Sequence, residues 1–121
     1  MKTMIVFSDT HGHREGIGRL EKLFAENDYI IHLGDGAADM REISREYPEK
    51  TYVCQGNCDF YPALAEWELE AEGVKIFFCH GHKYKVKSDL SRLAAEAKKR
   101  GCGVALYGHT HRALISEEDG V

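Results

Sequence analysis

Five predicted strands in this chain are each followed closely by aspartate, asparagine or histidine. In open α/β sheets the carboxyl ends of the strands form one edge, and ligands bind in the crevice outside that edge. Metal ligands scattered by chance would not return to the same edge five times. The sequence therefore predicts a two-metal hydrolytic site at this edge. The five segments are Asp9-Thr10-His11, Gly34-Asp35, Gly56-Asn57-Cys58-Asp59, His80-Gly81-His82 and Gly108-His109-Thr110-His111.

The order of the predicted elements indicates the α/β class. Apolar runs predict strands, and apolar residues at helical spacing predict amphipathic helices. The first three strands alternate with two helices, which favours a parallel sheet with right-handed crossovers, and later hairpins add antiparallel strands. The predicted strands span residues 3–8, 28–33, 50–54, 66–71, 74–79 and 103–107, with another beginning at 113. The predicted helices span 15–26, 38–47 and 88–100, and Ser88 is the expected cap of the last one.

The 121 residues fit one domain, and no internal repeat divides them. Near the end of the chain, Glu118-Asp119-Gly120 is a hairpin signal with only Val121 after it. A hairpin without its return strand leaves an exposed sheet edge, which proteins normally pair or cover. We therefore expect a single domain over residues 1–121 that lacks its C-terminal strands, or a second copy of the chain that completes the sheet in a homodimer.

Composition argues against several classes of protein. The formal net charge of -4 disfavours binding to long nucleic acids, and no stripe of aromatic and basic residues suited to stacking bases is visible. No apolar run approaches the roughly 20 residues needed to cross a bilayer, so no membrane partner is expected. Four cysteines are too few for a disulfide scaffold at this length, and no signal peptide precedes them. We expect a cytoplasmic protein.

The first and last of the five segments carry the most specific chemistry. Asp9 and His11 place a carboxylate and an imidazole on the same side of a short loop, where both can bind one cation. His109 and His111, two residues apart in an extended loop, also point the same way. Each segment alone has an ordinary explanation, such as a helix cap at Asp9 or a turn at Gly34-Asp35. All five together favour a metal site.

The five segments, in this order, resemble the signature of the calcineurin-like metallophosphoesterases. Gly56-Asn57-Cys58-Asp59 is most similar to the small bacterial and archaeal phosphodiesterase branch, and the resemblance spans residues 4–112. It implies an αββα sandwich of mixed sheets flanked by helices, with a dinuclear metal site between the sheet ends. By matching position, the resemblance assigns Asp9, His11 and His111 to the first metal, Asn57, His80 and His109 to the second, and Asp35 to both.

The implied cofactors are two divalent metal ions. Two such ions can activate a bridging water and clamp the attacking and leaving oxygens of an in-line displacement at phosphorus. Mixed nitrogen and oxygen ligands suit Mn, Fe, Co, Ni or Zn, and Mn is the first expectation. The candidate catalytic residues are Asp35, which would offset the repulsion between the ions, Asn57, which would add an oxygen ligand without charge, and the neighbouring Cys58 and Asp59.

Cys58 departs from the wider superfamily, in which histidine is common at this position and is thought to assist the leaving group or the phosphate. A free thiol has a pKa of about 8.5 and is a poor cation at neutral pH. We expect Cys58 to fill space, so that good leaving groups such as those of aryl phosphodiesters are preferred. The role of Asp59 stays open. It either orients a ligand or binds water, or it is an ordinary turn residue.

Other polar residues near the five segments allow two interpretations. His32 alternates with apolar residues in a predicted strand, which favours a buried, hydrogen-bonded histidine over a ligand. His82 lies two residues after a predicted ligand and could contact the substrate or lie outside the site. Lysines at 83, 85 and 87 form a basic run that is either solvated or steers an anionic substrate. Asp39 is expected in the first turn of a helix, where the helix dipole favours it.

The expected substrate is a small phosphate ester, and a phosphodiester rather than a monoester. A phosphomonoesterase or a nucleotide pyrophosphatase would use the same metals, and the acidic balance weighs against a nuclease. A further alternative is not an enzyme, because the retromer scaffold subunit of eukaryotes is similar in fold and works as a protein-binding platform. All seven ligand positions are filled here, which disfavours that alternative.

Overall fold

Two three-stranded sheets pack face to face in the computed structural model, which describes residues 2–112, 114–117 and 120–121. The strands are β1 (Met4–Phe7), β2 (Tyr29–His32), β3 (Thr51–Val53), β4 (Glu66–Ala71), β5 (Val74–Cys79) and β6 (Val104–Leu106). The first sheet has the order β1-β2-β3, and the second has the order β4-β5-β6.

Short helices connect the strands. The α-helices are α1 (Arg14–Gly18), α2 (Glu21–Glu26), α3 (Arg41–Glu46) and α4 (Ser91–Lys99), and two 3-10 helices cover Ala37–Met40 and His82–Tyr84. None of the helices in the described ranges has the length and apolar character that a membrane span requires.

The first sheet is parallel, as the alternation of strands and helices predicts. β4 and β5 form the predicted antiparallel hairpin around Glu72 and Gly73, both of which have positive φ. β6 pairs with β5 in parallel, a pairing on which the sequence analysis made no prediction. The two strands are parallel because α4 lies between them, and a helical crossover returns the chain in the same direction.

Neighbouring residues on the central strands point to opposite faces of the sheet, so their side chains pack in different apolar layers. Ile31 and Phe78 pack between the two sheets. Ile30 packs with the helices on the outer face of the first sheet. Phe77 packs on the outer face of the second sheet with Leu93 of α4. The result is an αββα sandwich, which confirms the predicted fold class.

Three helix boundaries differ from the predictions. The helix predicted over residues 15–26 is divided into α1 and α2, in a stretch where Gly16 and Gly18 lower helix propensity. The helix predicted over residues 38–47 begins as a 3-10 helix and becomes α-helical at Arg41. Ser88 does not cap α4, because that helix begins at Ser91, whose backbone N–H donates a hydrogen bond to Asp89 Oδ1 at 3.0 Å.

The end of the chain is described only in part. Residues 114–117 form neither helix nor strand, so the strand predicted to begin at residue 113 is not seen over 114–116. Ala113 itself, and Glu118 and Asp119 of the predicted hairpin, lie outside the described residues. The C-terminal strands that the sequence analysis expects to be missing therefore stay a prediction.

Candidate metal centre

All five polar segments follow strands, and the sandwich brings their side chains together. Asp9, Asp35 and Asn57 follow β1, β2 and β3 of the parallel sheet, and His80 and His109 follow β5 and β6. Six of the predicted ligands form two groups of three, and within each group one donor atom per residue lies within 4.8 Å of the others. The groups are Asp9, His11 and His111, and Asp35, His80 and His109.

The two carboxylate oxygens of Asp9 have different surroundings. Oδ2 accepts hydrogen bonds from the Ser8 hydroxyl at 2.5 Å and from the backbone N–H of His109 at 3.0 Å. Oδ1 is buried and has no hydrogen-bond partner among the described residues. It lies 3.2 Å from His111 Nε2 and 3.7 Å from His11 Nε2. A buried carboxylate oxygen is costly unless a cation or a donor compensates it, so Oδ1 fits a bound cation.

Asp35 lies between the two groups. Its Oδ2 is 3.9 Å from His11 Nε2 in the first group and 3.2 Å from His80 Nε2 in the second. Its Oδ1 accepts a hydrogen bond from the backbone N–H of Cys58 at 2.8 Å, which leaves Oδ2 facing the histidines. Asp35 therefore lies within reach of both groups, while its role as a carboxylate shared by two ions, which the family resemblance implies, stays a prediction.

His80 is buried, and its hydrogen bonds orient its ring. Nδ1 lies 2.8 Å from the carbonyl oxygen of Leu33, so Nδ1 carries the proton and donates it to that oxygen. Nε2 then presents its lone pair toward the site, 3.1 Å from Nδ1 of His109. Burial is the main cause that lowers the pKa of His109, and the nearby His80 ring and Lys87 cation lower it further. A lowered pKa favours neutral imidazole, the form that binds metals.

Asn57 is exposed on the loop after β3, and the residues on both sides of it approach Asp35. Cys58 does so through its backbone N–H. Gly56 packs so closely that a Cβ there would lie 2.2 Å from Asp35 Oδ1, so only glycine fits at this position. The Asn57 side-chain amide donates a hydrogen bond to Cys58 Sγ at 3.5 Å. The loop therefore carries Asn57 beside Asp35, while its role as a metal ligand stays a prediction.

Five of the seven predicted ligands have a left-handed backbone conformation. Positive φ is uncommon for residues other than glycine, although Asp, Asn and His adopt it more readily than most. Each such residue costs on the order of 1–3 kcal/mol, and the conformation persists only where surrounding contacts compensate for that cost. The five ligands are Asp9 (φ 56°), His11 (44°), Asp35 (58°), His109 (69°) and His111 (57°).

The carboxylate of Asp59 holds two of the ligand loops together. Oδ2 accepts hydrogen bonds from the backbone N–H groups of Asp35 and Gly56, each at 2.8 Å. Oδ1 accepts from the backbone N–H groups of Gly36 at 2.8 Å and Ala37 at 3.0 Å. Burial opposes ionisation, but these four bonds outweigh it and lower the pKa of Asp59. Of the two roles left open by the sequence, the bonds favour the one in which Asp59 orients a ligand.

Asp39 lies in the first turn of a helix, as predicted, but its contacts with the site were missed. Its side chain is only 4% exposed, and Oδ2 accepts hydrogen bonds from the Thr10 hydroxyl at 2.7 Å and the Gly12 backbone N–H at 2.9 Å. Sequence spacing carries no signal for these contacts, because Asp39 and the loop of Thr10 and Gly12 lie in separate segments that only the fold brings together. His32 is buried and hydrogen-bonded, as predicted, with Nε2 3.0 Å from Thr10 Oγ1.

His82 and Cys58 lie at the margin of the site. The ring centroid of His82 is 5.5 Å from that of His80, and its Nδ1 is buried without a hydrogen-bond partner in the described part of the chain. Burial is the main cause that lowers the pKa of His82. Cys58 is exposed, and the negative charge of Asp35 is the main cause that raises its pKa. The lowered pKa favours the neutral imidazole of His82, and the raised pKa favours the neutral thiol of Cys58 over the thiolate.

The donor set fits divalent transition-metal ions. Each of the two groups combines carboxylate oxygen with imidazole nitrogen, and neither includes a thiolate. Such sets suit Mn, Fe, Co, Ni and Zn. The unpaired Oδ1 of Asp9 and the position of Asp35 between the groups both fit a pair of cations.

Comparison with known proteins points in the same direction. A family model described as the calcineurin-like phosphoesterase superfamily domain matches residues 1–121. A phosphodiesterase of Methanocaldococcus jannaschii is 26% identical over 136 residues, which cover 96% of this chain and 77% of that protein.

Two solved structures are also similar. One from Streptococcus pneumoniae TIGR4, described as a predicted phosphoesterase, has a TM-score of 0.82 at 28% identity and is matched over 98% of this chain and 68% of its own. The structure of vacuolar protein sorting 29 from Cryptosporidium parvum has a TM-score of 0.79 at 17% identity, over 98% of this chain and 70% of its own. At that identity the likeness shows a shared fold alone.

Proposed function

Because this chain belongs to the calcineurin-like phosphoesterase superfamily, we propose that it hydrolyses phosphodiester bonds with the help of two divalent metal ions. The observation that carries the proposal is the position of Asp35 Oδ2, which lies 3.9 Å from His11 Nε2 in one donor group and 3.2 Å from His80 Nε2 in the other. A carboxylate in that position can serve both groups at once. The phosphodiesterase name of the archaeal relative supports the same class of substrate.

The proposed ligands are the seven that the sequence analysis assigns. The ions, when bound, supply an activated water and positive charge at the phosphate oxygens. The protein's own part is to orient the donors. His80 is turned by the carbonyl of Leu33 so that Nε2 offers a lone pair, and Asp35 has Oδ2 free because Oδ1 is bonded to Cys58 N–H. In this proposal Asp9, His11 and His111 would hold the first ion, Asn57, His80 and His109 would hold the second, and Asp35 would be shared. All of these except Asn57 belong to the two donor groups of the structure.

The proposed substrate is a small phosphodiester with a good leaving group. A cysteine side chain is either a neutral thiol or an anionic thiolate, so it supplies no positive charge to assist departure, and the raised pKa of Cys58 favours the neutral form at pH 7. Aryl esters need little such assistance, because a phenolate is a weak base. The proposal therefore predicts faster hydrolysis of aryl than of alkyl diesters.

Mn is the first candidate for the native ion, since the ligand set is oxygen and nitrogen without thiolate. The expected compartment is the cytoplasm, and all four cysteines are free thiols. We also propose a homodimer in which a second copy of the chain covers the edge of the second sheet. Analytical ultracentrifugation would measure the oligomeric state.

The test compares bis(p-nitrophenyl) phosphate with p-nitrophenyl phosphate after removal of metals and addition of Mn²⁺. The wild-type protein is expected to hydrolyse the diester at least about tenfold faster than the monoester, and only with metal present. Asp35→Asn should abolish this activity. Asp28→Asn is the matched control, because Asp28 precedes β2 at the end of the strand opposite Asp35 and bonds only to Thr3 in the described residues. A faster monoester reaction would favour the phosphomonoesterase alternative.

A non-catalytic scaffold is the second candidate, and the likeness of fold to vacuolar protein sorting 29 favours it. The two candidates differ in a simple way. A scaffold would bind metal ions at the same residues, or none, and hydrolyse neither ester under any metal. If the wild-type protein binds Mn²⁺ but hydrolyses neither ester, the scaffold proposal would therefore replace the enzymatic one.

A further inference from the structure

A chain of hydrogen bonds runs behind the first metal-ligand group and connects two ligand loops. The backbone N–H of Gly34 donates to His32 Nδ1 at 3.0 Å, and His32 Nε2 lies 3.0 Å from Thr10 Oγ1. Thr10 Oγ1 donates to Asp39 Oδ2 at 2.7 Å, and the backbone N–H of Gly12 donates to the same oxygen at 2.9 Å. The chain thus begins in the loop of Asp35 and ends in the loop of His11.

The donors allow only one direction along this chain. His32 Nδ1 accepts the Gly34 N–H, so the proton of the neutral ring lies on Nε2 and is donated to Thr10 Oγ1. The Thr10 hydroxyl must then give its own proton to Asp39, which accepts two hydrogen bonds on one oxygen. His32 is buried and Asp39 is 4% exposed, so water does not easily replace any of these partners.

The hydrogen-bond chain lies on both sides of His11, a proposed metal ligand with positive φ. Thr10 and Gly12 are the immediate neighbours of His11, which has φ of 44° and whose N–H donates to the carbonyl oxygen of Asp35 at 2.9 Å. Both neighbours are bonded to the same Asp39 oxygen, one through its hydroxyl and one through its backbone. Asp39 therefore fixes the loop on either side of His11.

The loop of Asp35 is shaped to leave room for the chain. Gly36 has φ of 152°, and a Cβ at this position would lie 1.9 Å from Thr10 Oγ1 and 3.1 Å from His32 Nε2. Any side chain at residue 36 would displace the Thr10 hydroxyl. Glycine is thus required here by the hydrogen-bond chain as well as by the backbone.

We propose that Thr10, His32 and Asp39 are positioning residues that hold His11 and Asp9 in the arrangement the first metal ion requires. They touch neither substrate nor metal and act by fixing the backbone of the ligand loop. The inference rests on the proposed function only in assuming that this group binds a metal ion. Groups that orient metal ligands from outside typically change metal affinity by about 10- to 100-fold when removed.

The test is a calorimetric titration of metal-free protein with Mn²⁺, without substrate, alongside its melting temperature. Thr10→Val keeps the shape of the side chain and removes the hydroxyl, and it should weaken at least one Mn²⁺ binding step about tenfold or more. Thr10→Ser keeps the hydroxyl and should restore most of the affinity. Thr51→Val is the matched control, because Thr51 Oγ1 donates to the Tyr47 carbonyl at 2.8 Å away from the ligand groups. It should lower the melting temperature and leave Mn²⁺ affinity unchanged.

Equal Mn²⁺ affinity in Thr10→Val and the wild type would overturn the inference, whatever happened to the melting temperature. If Thr10→Val does not fold, Asp39→Ala takes its place, because it removes the oxygen that accepts both bonds, and unchanged affinity there would overturn the inference equally. The proposed function fails separately: a wild-type protein that binds Mn²⁺ but hydrolyses no ester would refute the enzyme and still allow the Thr10 comparison to be decided. A wild-type protein that binds no Mn²⁺ would overturn both.

Discussion

The backbone N–H of His109 donates a hydrogen bond to the carboxylate of Asp9, 3.0 Å away, although 100 residues separate them in the chain. This bond joins the first ligand loop directly to the last. It also occupies Asp9 Oδ2, so that only Oδ1 faces His11 and His111.

Asn at position 9 should therefore be unable to accept the His109 N–H and to present an oxygen to the proposed metal position at the same time. An amide has one oxygen, so either the His109 N–H or the proposed metal position must face an NH₂ group instead of a carboxylate oxygen. We expect metal-dependent phosphodiester hydrolysis to fall by at least about 100-fold, and the metal-free protein to melt at a lower temperature. Asp28→Asn should keep metal-dependent hydrolysis at the wild-type level and lower the melting temperature less than Asp9→Asn does. Retention of near-normal hydrolysis by Asp9→Asn would remove Asp9 from the proposed ligands.

Asp59→Asn should destabilise the protein even without metal. Four backbone N–H groups converge on the Asp59 carboxylate, and an amide can accept only with one of its two terminal atoms. Hydrogen bonds to charged groups contribute about 1.5–3 kcal/mol each, so a loss of about 2 kcal/mol or more in the free energy of unfolding is expected. Urea denaturation measures it. Asp28→Asn, at a carboxylate that accepts one backbone bond, should cost less.

The contribution of the Asp59 carboxylate to the free energy of unfolding depends on pH. Its pKa is lowered in the folded protein, so its contribution to stability is present above the ordinary carboxylate pKa of about 3.9 and is lost as the pH falls through the lowered value. The stability difference between wild type and Asp59→Asn should stay constant from pH 7 to about pH 5 and shrink only in stronger acid. A difference that disappears by pH 6 would contradict this account.

His32 should remain neutral in mildly acidic solution. Burial is the main cause that lowers its pKa from 6.5 to about 4. Between these values the unfolded chain binds a proton that the folded chain does not, so stability decreases as the pH falls from 6.5 to 4. The decrease attributable to His32 is about 3 kcal/mol. In NMR of the metal-free protein, the ring signals of His32 should not titrate above about pH 5; a midpoint above pH 6 would contradict the burial argument.

Cys58→Ala should have little effect on hydrolysis of an aryl phosphodiester. The thiol is exposed, and the nearby Asp35 carboxylate keeps it neutral at pH 7, so it has no evident part in the reaction. We expect a change in kcat of less than about threefold. A hundredfold loss would show that the side chain does more than fill space. Alkylation by iodoacetamide offers a second readout and should accelerate only above the ordinary thiol pKa of about 8.5.

Periodicity and order were enough to predict the α/β class and the edge at which the polar segments meet, whereas the αββα layers were implied by the resemblance to a known family. Strands such as β2 carry adjacent apolar residues that face different layers, and each ligand segment follows its strand within a few residues, so periodicity and order suffice. The Thr10–Asp39 bond could not be predicted in the same way. It depends on left-handed turns at Asp9 and His11, and turns of this kind leave no periodic pattern. The division of α1 from α2 was missed because apolar spacing alone does not register two glycines.

The left-handed conformation of the ligand residues affects how this site should be probed. Alanine at His11 or His111 would keep a Cβ in a backbone region that disfavours it and would also lose the compensating contacts. Glycine at the same positions removes the side chain and the backbone penalty together. The wild-type residues already carry a Cβ, so an alanine variant keeps the backbone penalty and reports the lost side-chain contacts. A glycine variant loses the contacts and the penalty together, and the difference between the two variants therefore measures the penalty. We expect ligand-to-glycine variants to unfold at higher urea than their alanine counterparts, by an amount equivalent to about 1 kcal/mol each.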